Sequence, residues 1–216
     1  MAEFDDARAT WDRRFSEADG LLFGAEPNAW LAEHHGLLPA GGKVLCVADG
    51  ESRNGVFLAA AGFEVTAFDI SPVAVDKARA LAAQRGVEIE LLVADAGSWP
   101  IEPEAFDVVV AIFIQFAGPE LRARLFEGFQ RTLRPGGILL IEGYGERQLR
   151  YRTGGPGIAE NLYQLGRLHR AFAGWEILAS RDADFVLAEG TAHSGISHTV
   201  ASVMRKPAPG RPTVRG

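Results

Sequence analysis

The sequence predicts an α/β protein built on a doubly wound sheet, mostly parallel, with an antiparallel C-terminal edge strand. Three observations predict it. Short apolar runs rich in branched residues recur along the middle of the chain, longer segments with helical spacing separate them, and two late runs follow one another with no helix between them. Strand–helix–strand repetition at this period argues for right-handed crossovers between parallel strands buried on both faces.

Ahead of the first strand, Phe4–Ser16 and Pro27–His35 carry helical spacing. The strands then read Lys43–Val47 (KVLCV), Glu64–Phe68 (EVTAF), Ile89–Val93 (IELLV), Asp107–Ile112 (DVVVAI) and Ile138–Ile141 (ILLI), flanked by Gly, Asp and Pro. Ser71 before Pro72 is an N-cap followed by proline at the first helical position, so Pro72–Gln84 reads as a helix that stops at Gly86. In Glu120–Leu133 the residues Leu121, Leu125, Phe129 and Leu133 fall four apart on one apolar stripe. Arg152–Gly157 reads as a loop and Asn161–Ala173 as a helix. Trp175–Ala179 and His198–Met204, separated by a polar turn region, read as an antiparallel pair on the sheet edge. The expected organisation is one domain over residues 1–206, its first 40 residues forming a helical lid, and a flexible Pro/Gly-rich tail over 207–216.

Composition removes several classes. The chain has 216 residues, 47% hydrophobic and 23% charged, which is ordinary globular usage. With 28 acidic against 22 basic residues its formal charge is −6, and its body has no basic stripe, so no nucleic-acid partner is expected. The basic tail residues Arg205, Lys206, Arg211 and Arg215 read as solvated. One cysteine excludes an internal disulfide framework, and Cys46, inside an apolar strand, reads as a buried thiol. The adjacent His34 and His35 cannot easily converge on one ion, and His193 and His198 have no acid or cysteine in a ligand pattern beside them, so no metal is expected. The start has no signal-peptide core and no run approaches 18 apolar residues, so the expected setting is cytoplasmic, without a membrane partner.

The site is expected beyond the carboxyl ends of the strands, where open parallel sheets bind ligands. The first strand runs into Ala48-Asp49-Gly50-Glu51-Ser52, the second into Asp69-Ile70-Ser71, the third into Asp95-Ala96, and the fourth into Ile112-Phe113-Ile114-Gln115. Asp69 follows Gly50 by 19 positions, the distance at which a carboxylate accepts both hydroxyls of a ribose while a glycine turn admits the ligand to the backbone. Either acid could instead cap the helix after it. A dinucleotide needs G-x-G-x-x-G and a P-loop needs Gly-Lys-Ser/Thr; the turn DGESRNG followed by Val56-Phe57 satisfies neither. S-adenosyl-L-methionine (SAM) has the ribose but no phosphate, and its sulfonium suits acidic and aromatic walls.

Lys43–Ala61 (KVLCVADGESRNGVFLAAA), Val65–Ser71 (VTAFDIS), Ala94-Asp95 and Leu133–Ile141 (LRPGGILLI) resemble class I SAM-dependent methyltransferases, which have a Rossmann-like sheet of seven strands. Trp11–Phe15 (WDRRF) and Leu22–Leu31 (LFGAEPNAWL) are similar to the tellurite-resistance and thiopurine methyltransferase-like branch. The family's D-x-G-x-G-x-G turn is altered here, with Cys46, Ala48 and Ser52 at its first acidic and two of its glycine positions.

The resemblance implies that Asp69 holds the ribose, Ile70 covers the adenine, and Asp95, followed by Ala96, accepts the adenine amino group. Ala48, Asp49, Gly50 and Ile112 would face the methionine part, beside Ser71 at the second strand end. Trp11, Arg14, Phe15 and Phe23 would form the lid, with Arg14 the partner of the methionine carboxylate. The acceptor implied by the branch is a small molecule, a thiol or chalcogen compound. Methyl transfer is an in-line displacement in which positioning supplies roughly 7–11 kcal/mol, so a soft nucleophile needs no dedicated base. Gln115 and Tyr144 are the residues expected to orient the acceptor, among the polar candidates Glu142, Tyr151, Arg152 and Tyr163. A SAM- or nucleoside-binding regulatory protein without turnover, and a nucleotide-dependent oxidoreductase, stay open as alternatives.

Overall fold

Lys43–Val47 forms the central strand β1 because nothing polar interrupts it, and its last four residues are buried. The computed structural model describes residues 2–190 and 192–208, so most of the expected tail (209–216) lies outside the described residues. Around β1 assemble β2 (Glu64–Asp69), β3 (Glu90–Val93), β4 (Phe106–Ile112), β5 (Leu133–Tyr144), β6 (Glu176–Glu189) and β7 (His193–Arg205). They make one seven-stranded sheet in the order β3-β2-β1-β4-β5-β7-β6. The first five pair in parallel, and β7 is antiparallel to both β5 and β6. This is the doubly wound, Rossmann-like architecture expected, with the strand order reversing between β1 and β4.

The helices are α1 (Ala2–Glu17), α2 (Ala29–His34), α3 (Arg53–Ala60), α4 (Pro72–Arg85), α5 (Pro119–Thr132), α6 (Gln148–Tyr151) and α7 (Leu165–Ala171). The α4 signals act as the sequence suggests: the Ser71 hydroxyl oxygen accepts from the Ala74 N–H, and Gly86 ends the helix at φ 65°. One sheet face packs Leu45, Val47, Val109 and Leu139 against Leu125, Phe126 and Phe129 of α5 and Leu168 of α7. The other packs Val44, Cys46, Val108 and Leu140 against Trp30 and Leu31 of α2 and Leu58 of α3.

Three regions differ from the sequence reading by more than two residues. The strand expected at Ile138–Ile141 runs from Leu133 to Tyr144, because the L-R-P-G-G turn forms a register shift within the β4–β5 pairing instead of a break. The helix expected over Asn161–Ala173 begins only at Leu165, after a short 3-10 turn at Ala159–Asn161. Extended chain intervenes there, since the Tyr163 N–H donates to the Tyr144 carbonyl. The two short edge strands are in fact one long hairpin, so the region expected as polar turn is mostly β6 and β7.

Candidate functional site

A cavity of about 870 Å³ opens at the carboxyl ends of β1, β2, β3 and β4, at the reversal of strand order. Its volume lies within the roughly 300–1,000 Å³ of small-molecule sites. Ala48, Asp49 and Gly50 after β1, Asp69 and Ile70 at the end of β2, Asp95 and Ala96 after β3, and Ile112 at the end of β4 all line it. Trp11 and Phe15 of α1 and Phe23 of the following loop close it from above.

Each carboxylate is held in place. Asp69 is buried, with one oxygen accepting the Gly50 N–H and the other the Ser71 N–H, both at 2.9 Å. Its burial pushes the carboxyl up to about 6, against the opposing pull of those two hydrogen bonds. Asp49 accepts from the Ser52 hydroxyl (2.8 Å), the Gly55 N–H (3.0 Å) and the Asn54 amide (3.1 Å), so it caps the start of α3 while lining the cavity. Burial raises its carboxyl as well, opposed by the same three donors. Asp95 is half-buried and accepts the Gly97 N–H at 3.0 Å.

The turn keeps left-handed backbone although two of its glycines are replaced: Ala48 stands at φ 49°, Gly50 at 57° and Ser52 at 58°. A Cβ on Gly50 would meet the Phe15 ring at 3.3 Å, so both the positive φ and this tight approach favour glycine there. Phe15 is fixed in turn by Trp11 stacked at 5.7 Å and Phe23 edge-on at 6.1 Å between ring centroids.

Four residues singled out in the sequence stand apart from the cavity lining. The exposed Arg14 guanidinium lies over the Trp11 ring at 4.5 Å, outside the cavity lining. Ser71 is spent on its capping bond and on donation to Asp12. Gln115 is a backbone clamp: its amide nitrogen donates to the Tyr144 carbonyl (2.7 Å) and the Asn161 carbonyl (3.2 Å), and its oxygen accepts the Tyr144 N–H (2.6 Å). Tyr144 is inside the extended β5, its ring packed on Phe113 at 4.7 Å with Leu162 and Leu187 beside it. Burial holds its phenol well above the ordinary range, hence protonated.

The sequence reading also passed over residues that do line the cavity: Arg53 and Asn54, already in the DGESRNG turn, and Phe113, Phe116, Glu120 and Arg124 around the start of α5. Arg53 is set by a buried polar cluster. It pairs with Glu189 of β6, whose other oxygen accepts from Asn28, while the Asn28 amide also donates to Glu142 of β5 (2.7 Å). Glu142 pairs with Arg181 of β6 at 2.7 Å. Burial raises the Glu142 carboxyl, with Arg181 and Asn28 opposing it. Glu142 is therefore a structural carboxylate, fully buried within β5.

Against known proteins, residues 44–137 match a methyltransferase domain family. The chain is 30% identical over 133 residues to tRNA N(3)-cytidine methyltransferase METTL2 of Gallus gallus, an alignment covering 59% of this chain and 34% of that one. The first curated relatives it matches are longer, and it spans between 21% and 41% of their length. Among solved structures, it is similar to a protein studied for conversion of a disulfide bond into a thioacetal group during echinomycin biosynthesis. That likeness has a TM-score of 0.75 at 23% identity and covers 96% of this chain and 93% of the other. TehB from Haemophilus influenzae gives a TM-score of 0.69 at 16% identity, covering 83% of this chain and 62% of the other. Both likenesses are of fold. No helix among the described residues is long and apolar enough to cross a membrane.

Proposed function

We propose that the chain, whose residues 44–137 match a methyltransferase domain family, is a class I SAM-dependent methyltransferase, and that it methylates a small molecule whose nucleophilic atom needs no deprotonation by the protein, a thiol or reduced chalcogen compound. The observation that carries this reading is the lining itself. The cavity has aspartates where a nucleoside would be held, and beyond them its described lining residues offer no His, Lys, Cys or Tyr and a single further carboxylate, Glu120 at the start of α5, as a base.

SAM supplies a methyl group on an electrophilic sulfonium. The Asp69 carboxylate, pre-aimed by Gly50 and Ser71, accepts the ribose hydroxyls. Ile70 covers the adenine, and Asp95 with Ala96 meets its edge. Ala48, Asp49, Gly50 and Ile112 face the methionine part, and Arg53 takes the place given to Arg14 in the sequence reading as the guanidinium on that wall. The fit is physical: the bare Gly50 leaves room where a Cβ would crowd the Phe15 ring at 3.3 Å, and the acidic and aromatic walls favour a sulfonium. Trp11, Phe15 and Phe23 exclude water, with α1 acting as the lid of a single domain.

Phe113 and Phe116 extend the cavity past β4 with apolar surface, and Phe116 is 42% exposed at its rim. That surface suits an apolar acceptor body. The chicken relative is named for action on tRNA; on this chain a polyanion would meet a formal charge of −6, which favours the small acceptor.

The test is calorimetry with SAM and S-adenosylhomocysteine, with NADPH as control, followed by S-adenosylhomocysteine production from SAM with aryl and alkyl thiols across pH. Micromolar binding of both SAM compounds, and a rate that rises with the thiol's own ionisation, is the expected result. Tight binding without turnover on any thiol or on selenide would reduce the protein to a SAM-binding module, and NADPH binding in place of SAM would overturn the reading.

A further inference from the structure

Ala48, Asp49 and Gly50 of the turn after β1 line the cavity, but Glu51, the next residue, does not. It is 2% exposed, a buried carboxylate that the donor reading leaves unused. One of its oxygens accepts the Phe23 N–H at 3.4 Å, and the other stands 3.4 Å from the Lys77 ammonium of α4. A carboxylate so far from water needs a charge partner, and Lys77 supplies it.

The same ammonium holds the lid. It donates to the Phe15 carbonyl and to the Gly20 carbonyl, both at 2.6 Å. Phe15 lies in the last turn of α1, where carbonyls have no partner within the helix, so a cation there satisfies one of them and complements the helix dipole. Gly20, at φ 82°, bends the chain on its way from α1 to Phe23. Farther along α1, Asp12 accepts from the Ser71 hydroxyl. Among the described residues, both polar anchors of α1 to the body therefore come from α4 and its N-cap.

We propose that Lys77 is a positioning residue for the donor. By joining the end of α1, the loop at Gly20 and the buried Glu51, it sets Phe15 and Phe23 over Gly50 while standing outside the cavity lining itself. Glu51 follows Gly50 directly in the chain, so the clamp on the lid and the turn that would meet the donor are one unit. Coupling of this kind is reciprocal: a donor that orders the turn steadies α1, and a loosened α1 weakens the donor. The inference rests on the reading that the cavity takes SAM.

The experiment is hydrogen–deuterium exchange of the full chain with and without S-adenosylhomocysteine, paired with calorimetry, on wild type, Lys77→Met, Glu51→Gln and the double variant. In wild type the ligand should slow exchange over residues 8–20. Lys77→Met keeps most of the aliphatic stem and removes the charge. It should weaken S-adenosylhomocysteine about tenfold and speed exchange over residues 8–20 by about the same factor, with the amides of β1 and β4 exchanging as in wild type. Glu51→Gln keeps an acceptor for Phe23 and should weaken the ligand about threefold, a test that stands even where Lys77→Met does not fold. The double variant should bind within about twofold of Lys77→Met, because the two side chains act together. Wild-type affinity in either folded variant, or exchange speeded as much in β1 as in α1, would overturn the clamp and leave the SAM reading intact. Wild-type protein that fails to bind S-adenosylhomocysteine would overturn that reading and this inference with it.

Discussion

The Asp69 carboxylate accepts the backbone N–H of Gly50 at 2.9 Å, so the end of β2 and the turn after β1 are one unit. Burial raises this carboxyl from its ordinary 3.8 to about 6. Ribose hydroxyls donate more strongly to the ionised form, and the protonated carboxyl has one fewer oxygen free to accept both. SAM affinity should therefore be flat above about pH 7 and fall toward tenfold per unit below about pH 6. For the free protein the sign is opposite: the folded state holds this proton more tightly than the unfolded chain. The group's contribution is thus most favourable below pH 3.8 and is lost as pH rises to about 6, a difference of about 3 kcal/mol. Calorimetric titration of S-adenosylhomocysteine between pH 5 and pH 8 checks the first statement, and an affinity independent of pH there would remove Asp69 from the site.

The left-handed backbone at Ala48 and Ser52 is retained without glycine. An L-residue in that region costs about 1–2 kcal/mol, and glycine returns part of the gain through its greater unfolded-state freedom. Ala48→Gly should stabilise the protein by about 1 kcal/mol. Ser52→Gly should change stability by less than about 0.5 kcal/mol, because it also removes the 2.8 Å hydrogen bond from the Ser52 hydroxyl to Asp49. Urea midpoints at unchanged slope measure both.

Much of this architecture was readable because local signals and tertiary contacts agree. Lys43–Val47 and the helix after Ser71 start where the sequence places them, since an unbroken apolar run and a Ser-Pro start each leave one sensible structure. The strand-end acids were readable for the same reason, each closing a buried strand. The β6–β7 hairpin was not. Its inward positions in β6 are Arg181, Ala183, Phe185, Leu187 and Glu189, a true period-two pattern, but the charges at both ends hide it as polar turn. Those charges are tolerable only because Glu142 and Arg53, distant in sequence, neutralise them. Gln115 and Tyr144 stand outside the cavity lining for a related reason: a polar residue at a strand end can face a cavity or hold the next loop, and only the path of residues 161–163 decides which.

Gln115 makes that distinction measurable. Its amide holds the Tyr144 backbone from both sides and the Asn161 carbonyl, and the Asn161 amide returns a bond to the Gln115 carbonyl at 2.9 Å. Gln115→Ala leaves those buried backbone groups short of partners and should cost about 2–3 kcal/mol of stability. SAM affinity of the folded protein should stay within about twofold of wild type, since the side chain is outside the cavity lining. An acceptor-orienting Gln115 would give the reverse: unchanged thermal stability and slowed transfer.

The Arg53–Glu189 pair couples the donor turn to the far edge of the sheet, with side chains only 7% and 8% exposed. Removing one partner strands the other charge in the interior, so Glu189→Leu should destabilise by roughly 3–5 kcal/mol. Asn28 loses an acceptor in the same variant, which adds to the cost. Adding Arg53→Met to Glu189→Leu takes the orphaned guanidinium away, and the double variant should recover a kilocalorie or more relative to Glu189→Leu, roughly the coupling expected of contacting charges. Arg53 also lines the cavity, so SAM affinity should fall in the double variant even where stability recovers. Denaturant titration and calorimetry on the four proteins of the cycle separate the two effects. Strictly additive stabilities would show that the pair has no coupling, and undiminished SAM affinity in the double variant would take Arg53 out of the donor wall.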